Sequence, residues 1–360
     1  MNKIVVKISS NLLDPNNEID MVHKISKEIY DLKKEGAQVI VVTSGAVMHG
    51  VKILGYDKKP DRIPLLQSCA AIGQIQLMTR YIDSFAELNM IPSQILVSTE
   101  DFNNRKRYLN LRNAVGSLLS LGAVPIFNEN DSLNIEELKF GDNDHLSSLV
   151  TLMMGFDMLI ILSDVDGLYE EDPKVNKNAK LITCIDPRDE SCVKFASSSV
   201  SKFSTGGMKT KLLSAQKVAK GGIDVFIGNG FKTNLSKIIN FEERGTYARR
   251  DDANINARKI WLGFSPSSSG QVIIDEGAYI ALTEKSSSLL ASGIKEIKGN
   301  FLKGSLIAVY YKNKKVAQGL TNYSSKDLEL IKGKKSQDFH LYIKNHDYDM
   351  VIHKNNLYLT

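Results

Sequence analysis

The sequence predicts an α/β protein: a three-layer sandwich around a mostly parallel sheet, followed by a small β-rich domain. Two observations in the 360-residue chain support this prediction. Over about the first 230 residues, short β-branched runs alternate with longer stretches whose apolar residues recur at helical spacing. Past about residue 255, short strand-like runs follow a Ser/Pro/Gly-rich segment. We therefore predict a first domain over residues 1–255, a linker over 256–270 and a second domain over 271–360.

The elements follow from these periodicities in chain order. Runs of β-branched and aliphatic residues predict buried strands, and several of the intervening helical patterns end at a glycine, as helices often do. Ligands bind beyond the carboxyl ends of parallel strands, so we expect chemistry in the residues that follow each strand. The predicted strands are Lys3–Ile8, Gln38–Thr43, Gln94–Val97, Val124–Phe127, Met158–Leu162, Asp224–Ile227 and, in the second domain, Gln271–Ile274 and Ser305–Tyr311; the predicted helices are Asp20–Glu35, Leu65–Leu88, Arg107–Leu121 and Met208–Lys220.

Composition and charge predict a globular protein of the cytoplasm. The three cysteines have no metal-type spacing and an odd number, which favours a reducing compartment over a disulfide framework. No stretch approaches the roughly 20 apolar residues of a membrane span, and the apolar run near the N-terminus is too short for a signal peptide. Residues 258–360 hold 15 Lys and Arg against 9 Asp and Glu, whereas the rest of the chain holds 31 against 32. That excess allows a polyanionic partner but is also ordinary for solubility.

The run Thr205–Lys211 places two glycines and two lysines at the mouth of a predicted helix. A helix N-terminus already carries about half a positive charge, so lysines in its first turn are disfavoured unless an anion binds there. Glycines let backbone N–H groups converge on phosphate oxygens. Taken alone, the run fits a phosphate cradle and a turn with solvated lysines about equally well.

The first two predicted strands also carry residues suited to binding an anion, namely Lys7 and the turn Thr43–Ala46. Lys7 interrupts a buried run, and a buried lysine requires an anionic partner at the edge of the sheet; the alternative is a lysine of an edge strand that faces solvent. The small residues of Thr43–Ala46 offer backbone N–H groups and a hydroxyl to a carboxylate or phosphate, although a tight strand-to-helix turn would use the same residues.

Polar clusters follow the later strands. Asn128–Asp131 and Gly141–Asp144 bring amides and carboxylates that can hold an ammonium and a carboxylate group, orient lysines or bind Mg²⁺ through water. For Asp142 or Asp144 a role as helix N-cap is the alternative. The acidic turn Ser163–Tyr169 can face a nucleotide or simply form a turn.

The chain lacks the glycine-rich phosphate loop of P-loop proteins, the dinucleotide fingerprint after the first strand and the serine elbow of hydrolases. Its six histidines form no metal pair. An acceptor carboxylate is ionised near neutral pH, so its phosphorylation needs no general base, and lysines, magnesium and glycine loops suffice.

Together these motifs resemble those of the amino acid kinase family, and within it the enzymes that phosphorylate the side-chain carboxylate of L-glutamate. The C-terminal part is similar to the PUA domain, an RNA-binding module elsewhere, so that the resemblance covers nearly the whole chain. The motifs that carry it are Lys7, Thr43–Ala46, Asn128–Asp131, Gly141–Asp144 and Thr205–Met208 in the first domain, and Val272–Ala278, Ser288–Leu290 and Gly299–Phe301 in the second.

The resemblance implies an amino acid kinase fold and ATP-dependent formation of glutamyl 5-phosphate, the first step of proline synthesis. It also implies Mg²⁺, whose ligands the sequence does not assign, inhibition by proline, a homo-oligomer and handover of the product to glutamyl phosphate reductase; RNA binding by the second domain is left open. By motif, Lys7 and Lys211 neutralise the transferring phosphoryl group and Asp144 orients them. Glutamate is held by Ser44, Asp131 and Asn143, with Asn128 a weaker candidate, and ATP by Lys7, Ser163, Asp164, Thr205, Gly206, Gly207, Met208, Lys209, Thr210 and Lys211.

Ser9 and Ser204 depart from the family pattern, which usually has glycine at both positions. Serine restricts the backbone and narrows its approach to phosphate, which predicts weaker nucleotide affinity without loss of activity.

Two alternative functions are another kinase of the family, acting on aspartate, acetylglutamate or a nucleoside monophosphate, and an RNA-binding protein with a vestigial kinase domain. Of the two lysines in the glycine run, Lys211 is predicted to be catalytic, and Lys209 to add only general positive potential.

Overall fold

The structure is a computed structural model that describes residues 2–133, 143–171, 173, 175–189, 207–250, 262, 268–343 and 348–359. The chain divides into two compact units, residues 1–254 and 255–360.

The described part of the first unit is built on a sheet of eight strands in the order β3-β4-β2-β1-β5-β9-β10-β8. From β3 to β9 all neighbours are parallel, and β10 runs antiparallel to β9. Strands β6 and β7 form a separate antiparallel pair. The strands are β1 (Lys3–Ile8), β2 (Gln38–Val42), β3 (Pro92–Val97), β4 (Val124–Glu129), β5 (Met158–Ser163), β6 (Leu168–Tyr169), β7 (Leu181–Ile182), β8 (Cys184–Ile185), β9 (Asp224–Asn229) and β10 (Thr246–Ala248).

Helices cover both faces of this sheet, as parallel strands buried on two sides require. Helices α1 and α3 pack on one face, and α6 and α7 pack on the other. The helices of the unit are α1 (Met21–Lys34), α2 (Ala46–Ile53), α3 (Ile63–Ala86), α4 (Thr99–Asn103), α5 (Arg105–Ser120), α6 (Asn143–Met154), α7 (Met208–Lys220) and α8 (Leu235–Ile239).

The central strand β1 divides its side chains between the two faces. Ile4, Val6 and Ile8 point into the hydrophobic core that α1 and α3 close. Lys7 alternates with them and therefore points to the opposite face, where α6 lies. The period of two in a strand thus sends the one charged residue of this buried run towards α6.

Helices α2 and α3 cross at unusually close range. A Cβ added at Gly73 of α3 would lie 1.8 Å from the carbonyl oxygen of Ala46, and one at Gly50 of α2 would lie 1.9 Å from that of Cys69. Only glycine fits at either position. The turn before α2 also requires glycine, because Gly45 has φ of 96°. Backbone contact with α3 therefore fixes the start of α2, directly after β2.

The second unit contains a sheet of five strands in the order β12-β11-β13-β14-β15. Strands β11 and β13 are parallel and the other neighbours antiparallel, over a core that includes Val272, Ile307 and Phe339. Its elements are β11 (Gly270–Ile274), α9 (Glu276–Thr283), β12 (Ile294–Lys298), β13 (Leu306–Tyr311), β14 (Lys314–Leu320), α10 (Ser325–Ile331) and β15 (Leu357–Leu359).

The predicted α/β sandwich with a separate β-rich unit is confirmed. One detail of the prediction was wrong. The strand predicted at Gln94–Val97 begins at Pro92 and is not buried, because it forms an outer strand of the sheet and exposes Leu96. For Lys7 the alternative of an edge strand is excluded, since β1 sits between β2 and β5. Most of the predicted linker over 256–270 lies outside the described residues, and the domain boundaries stay a prediction.

In the described part of the chain, every helix is too short or too polar to cross a lipid bilayer.

Replacing Gly73 by alanine should destabilise the protein. The new methyl group would overlap the backbone of α2, and such overpacking costs about 2–3 kcal/mol. Denaturant unfolding of Gly73→Ala measures this loss. Gly116→Ala is the matched control: it lies inside α5 with no atom within 4 Å of the added Cβ, and should gain about 0.5–1 kcal/mol from helix propensity. Equal stability of Gly73→Ala and the unmutated protein would contradict the close crossing.

Candidate active site

Functional side chains gather where the parallel strands end. The carboxyl ends of β1, β2, β4 and β5 share one edge of the sheet, and the first turns of α6 and α7 bring further polar residues to it. The site has a charged part between β1, α6 and α7, and an uncharged polar part between β2, β4, α3 and α6.

The charged part consists of one carboxylate held between two ammonium groups. Asp144 Oδ1 lies 2.5 Å from Lys7 Nζ, and Asp144 Oδ2 lies 2.9 Å from Lys211 Nζ. All three side chains are buried, with exposures of 1% for Asp144, 5% for Lys7 and 6% for Lys211. Lys7 comes from β1, Asp144 from the first turn of α6 and Lys211 from the first turn of α7, so three separate elements must assemble to form this cluster.

The three side chains of this buried contact carry two positive charges and one negative charge. Burial alone would raise the pKa of the Asp144 carboxyl, but the charges of Lys211 and Lys7, with their hydrogen bonds, hold that pKa well below its usual range. Asp144 is therefore ionised throughout the neutral range. A cluster with this charge is complementary to an anion such as a phosphoryl group.

Two hydroxyl groups complete the charged part. Ser9 Oγ accepts a hydrogen bond from Lys7 Nζ at 3.1 Å, and Thr210 Oγ lies 3.2 Å from Asp144 Oδ2. Ser9 has φ of −71°, a value open to any residue, so its departure from glycine introduces no backbone strain. Ser204, the other departure, lies outside the described residues.

The uncharged polar part is a chain of side-chain amides. Asn143 Nδ2 donates to Ser44 Oγ at 3.0 Å and to Asn128 Oδ1 at 3.2 Å. Asn128 Nδ2 in turn donates to Gln74 Oε1 of α3 at 2.8 Å. Among the described residues, Asn143 Oδ1 and Gln74 Nε2 are buried and have no hydrogen-bond partner. An acceptor and a donor in this position suit a ligand that carries both kinds of group.

Ser163 and Asp164 lie at the end of β5, where the acidic turn was predicted. The Ser163 hydroxyl donates to Asp164 Oδ1 at 3.1 Å, and Asn11 Nδ2 donates to Asp164 Oδ2 at 3.0 Å. Asp166, two residues on, accepts from Asn229 Nδ2 at 3.0 Å and from Lys232 Nζ at 2.9 Å. The turn is thus held by side chains of β9 and the segment after it, while the Asp164 carboxylate stays exposed.

Gly207 is the N-cap of α7, and within the described residues no side chain caps the helix and its first turn holds no acidic residue. Unpaired N–H groups at such a terminus favour an anion. Lys209 is exposed and Lys211 is buried, so the two lysines of this turn differ in their access to solvent. Thr205 and Gly206, also assigned to the nucleotide, lie outside the described residues.

The other predicted acidic residues lie near the ends of β4 and α6. Asp131 is half-buried in the turn two residues after β4. Asp144 is the second residue of α6 and so is not its N-cap, and Asp142 lies outside the described residues. Gln74, Asn11 and Asn229 were not predicted from the sequence. Periodicity could not have revealed Gln74, because α3 also carries apolar residues such as Ile75 and Ile82 on its exposed side.

Comparisons with known proteins show which family the chain resembles. The model of the amino acid kinase family matches residues 2–229, and that of the PUA domain matches residues 270–343. A glutamate 5-kinase of Thermoanaerobacter sp. (strain X514) is 39% identical over 99% of this chain and 97% of its own length. Glutamate 5-kinase 1 of Bacillus licheniformis is 41% identical over 98% of this chain and 97% of its own length.

Among solved structures, a carbamate kinase from Giardia lamblia bound to AMP-PNP resembles the first unit in fold. Its TM-score is 0.50 at 14% identity, over 69% of this chain and 99% of that one. At this identity the likeness concerns the fold alone.

Replacing Asp144 by asparagine should strongly destabilise the protein. Two buried ammonium groups would lose the carboxylate that both contact, and breaking a buried ion pair costs about 3–5 kcal/mol. Because the folded-state pKa of Asp144 is lowered, its contribution is fully present above the unfolded-state pKa of about 3.9 and is lost as the pH falls below it. Urea unfolding of both proteins, between pH 8 and pH 3, measures the difference.

Asp166→Asn is the matched control for this substitution. Asp166 pairs with the exposed Lys232, and exposed pairs contribute less than about 1 kcal/mol. A loss of equal size in the two variants would show that Asp144 is an ordinary surface charge.

Proposed function

The chain belongs to the amino acid kinase family, and we propose that its activity is that of a glutamate 5-kinase. It transfers the terminal phosphoryl group of ATP to the side-chain carboxylate of L-glutamate and so forms glutamyl 5-phosphate, the first step of proline biosynthesis. Relatives that carry this name are 39–41% identical to the chain over nearly its whole length.

The observation that carries the proposal is the cluster Lys7–Asp144–Lys211. A phosphoryl group in transfer spreads negative charge over its equatorial oxygens, and catalysis consists of positioning and of stabilising that charge. Lys7 and Lys211 supply two ammonium groups, and Asp144 holds both in fixed positions. These groups need not reorganise when the charge develops. A vestigial kinase domain would have no reason to keep three buried charges in contact.

The uncharged polar part suits the other reactant. The glutamate side chain is a carboxylate at neutral pH, so it attacks phosphorus without a general base. We propose that Ser44 and Asn143, with Asp131 and Asn128, hold the ammonium and carboxylate groups at the other end of the amino acid. Ser44 and Asn143 are already joined by a hydrogen bond at 3.0 Å, and both lie at the edge of the sheet beside the lysine cluster.

The residues at the start of α7 fit a nucleotide triphosphate. Among the described residues this helix N-terminus has no side-chain cap and no acidic residue, and with Lys209 and Lys211 in its first turn it is complementary to phosphate. We propose that residues Thr205 to Lys211, Lys7, Ser163 and Asp164 hold ATP, which supplies the phosphoryl group. Mg²⁺ is proposed to accompany the nucleotide and to neutralise part of its charge. In the described part of the chain, no group of three or more His, Cys, Asp or Glu side chains could hold a metal, so its ligands stay unassigned.

Three further proposals concern partners. Proline, the end product, is proposed as an inhibitor, and the enzyme as a homo-oligomer. The product is an acyl phosphate, a reactive mixed anhydride, so a glutamyl phosphate reductase is proposed to consume it. The reaction is assigned to the cytoplasm, since the thiols of Cys69 and Cys184 are free, as a reducing compartment would keep them.

The PUA domain supports a proposal of RNA binding by the second unit. Tyr279 and Tyr311 stack there with ring centroids 4.5 Å apart, and Lys312 Nζ lies 5.0 Å from the Tyr311 ring. Aromatic rings beside a lysine suit a nucleic acid base and its phosphate.

Product analysis tests the proposed activity directly. Incubation with ATP, Mg²⁺, glutamate and hydroxylamine should yield glutamyl hydroxamate, because hydroxylamine traps the acyl phosphate. Parallel reactions with aspartate and acetylglutamate are the controls, with a nucleoside monophosphate assayed for ADP release. Product from one of these substrates and none from glutamate would overturn the proposal.

Replacing Lys211 by methionine should lower kcat by on the order of 10²-fold or more, because its contact strengthens as charge develops in the transition state. The fold should survive, since Asp144 keeps Lys7 as its partner. The matched control is Lys220→Met, in the last turn of the same helix and outside the proposed site, for which we expect a kcat within a few-fold of the unmutated enzyme. Steady-state kinetics measure kcat for both variants. An unchanged kcat for Lys211→Met would refute the proposed role of Lys211.

A further inference from the structure

We infer that Gln74 of α3 is a positioning residue for the amino-acid substrate, acting through Asn128 on Asn143 and Ser44. The inference rests on the proposed function, because it assigns these residues to the acceptor site of a kinase that phosphorylates an amino acid. It adds a residue outside all the sequence motifs, on a helix that contributes no other group to the site.

Gln74, Asn128 and Asn143 form a relay in which each amide fixes the orientation of the next. A side-chain amide has one acceptor end and one donor end, and its hydrogen bonds decide which way it points. Gln74 Oε1 takes a hydrogen bond from Asn128 Nδ2 at 2.8 Å, which turns Asn128 Oδ1 towards Asn143. Asn143 Nδ2 then donates to Asn128 Oδ1 and to Ser44 Oγ, so that both of its hydrogens are used.

The far end of this relay matches the groups of an α-amino acid. Asn143 Oδ1 is left as an acceptor, and among the described residues it has no partner. Ser44 Oγ accepts from Asn143 and therefore keeps its own hydrogen to donate. An acceptor suits the substrate ammonium, and a hydroxyl donor suits its carboxylate. If Asn128 were rotated by half a turn, its NH₂ group would oppose that of Asn143, and the relay would break.

Burial distinguishes Gln74 from an ordinary surface glutamine. Its side chain is 8% exposed and that of Asn128 is 2% exposed, so neither amide can exchange its partner for bulk water. Gln74 Nε2 is buried and lacks a partner among the described residues. A buried donor without a partner is costly, and such groups persist mainly where function requires them.

The backbone around Gln74 is held by contacts that also hold Ser44. Gly73, the preceding residue, is in direct contact with the start of α2 at Ala46, two residues after Ser44. Tyr81, two turns further along α3, pairs with Thr43 at 3.0 Å, one residue before Ser44. The two ends of the relay therefore belong to one rigid pair of elements, which is what positioning requires.

Gln74→Met tests the inference, because methionine keeps the size of the side chain but removes the amide. We expect the KM for glutamate to rise about tenfold or more, while kcat and the KM for ATP stay within a few-fold. Gln216→Met is the matched control: Gln216 is a buried glutamine of α7 that donates to the Asp189 carbonyl, and its loss should leave the KM for glutamate unchanged.

A double-mutant cycle separates positioning from a merely structural effect. If Gln74 acts through Asn128, Gln74→Met should raise the KM for glutamate little further in an Asn128→Ala background. Fully additive effects on KM would overturn the inference, as would a KM for Gln74→Met within twofold of the unmutated enzyme. If Gln74→Met fails to fold, Gln74→Asn serves instead. Its side chain is shorter by one methylene, which moves the acceptor oxygen away from Asn128, and it should raise the KM for glutamate without changing kcat.

The hydroxamate assay of the unmutated enzyme distinguishes a failure of this inference from a failure of the proposed function. If it forms no glutamyl hydroxamate, the proposed function fails and the cycle is not interpretable in terms of glutamate. If it forms hydroxamate and Gln74→Met leaves its KM for glutamate unchanged, only the inference about Gln74 fails.

Discussion

The carboxylate of Asp144 is the point on which the site depends. It is buried, and it binds a lysine from the central strand of the sheet at 2.5 Å and a lysine from the first turn of α7 at 2.9 Å. Without it, two ammonium groups would be buried close together in a medium of low dielectric constant, and their repulsion would strongly destabilise the folded state. With it, two ammonium groups are held beside a helix terminus that has no side-chain cap among the described residues. A single carboxylate therefore both stabilises the assembly of β1, α6 and α7 and leaves it ready for an anion.

Beside this cluster, close packing between helices α2 and α3 sets the geometry of the proposed acceptor site. Helix α3 meets α2 at glycines that admit no side chain, and its Tyr81 pairs with Thr43 at the end of β2. These contacts fix Ser44 relative to Gln74, and the amide relay through Asn128 links both to Asn143, the residue before Asp144. The charged and uncharged parts of the site thus share α6. In the proposed function, a substrate bound by the relay and a phosphoryl group bound by the lysines would be held on one rigid frame, as in-line transfer requires.

The sequence predicted the fold well, because the periodicities of strands and helices are strong local signals. Buried strands read as β-branched runs, and Lys7 stood out as the one charge within such a run. It could not say that β1 is a central strand, because strand order depends on pairings between distant segments. The outer strand β3 was misjudged for the same reason. Gln74 was missed because a buried glutamine in a helix looks the same in sequence as an exposed one; only the packing of α3 against α2 shows where it points.

The rate of phosphoryl transfer in Asp144→Asn tests the central claim most directly. Asparagine keeps the shape of the side chain but not the charge that holds Lys7 and Lys211. A single-turnover measurement with saturating ATP and glutamate, under conditions where the variant is folded, isolates the chemical step. The account predicts a rate lower by on the order of 10²-fold or more, with the affinity for glutamate within a few-fold, because the amide relay is intact. A transfer rate within a few-fold of that of the unmutated enzyme would contradict it.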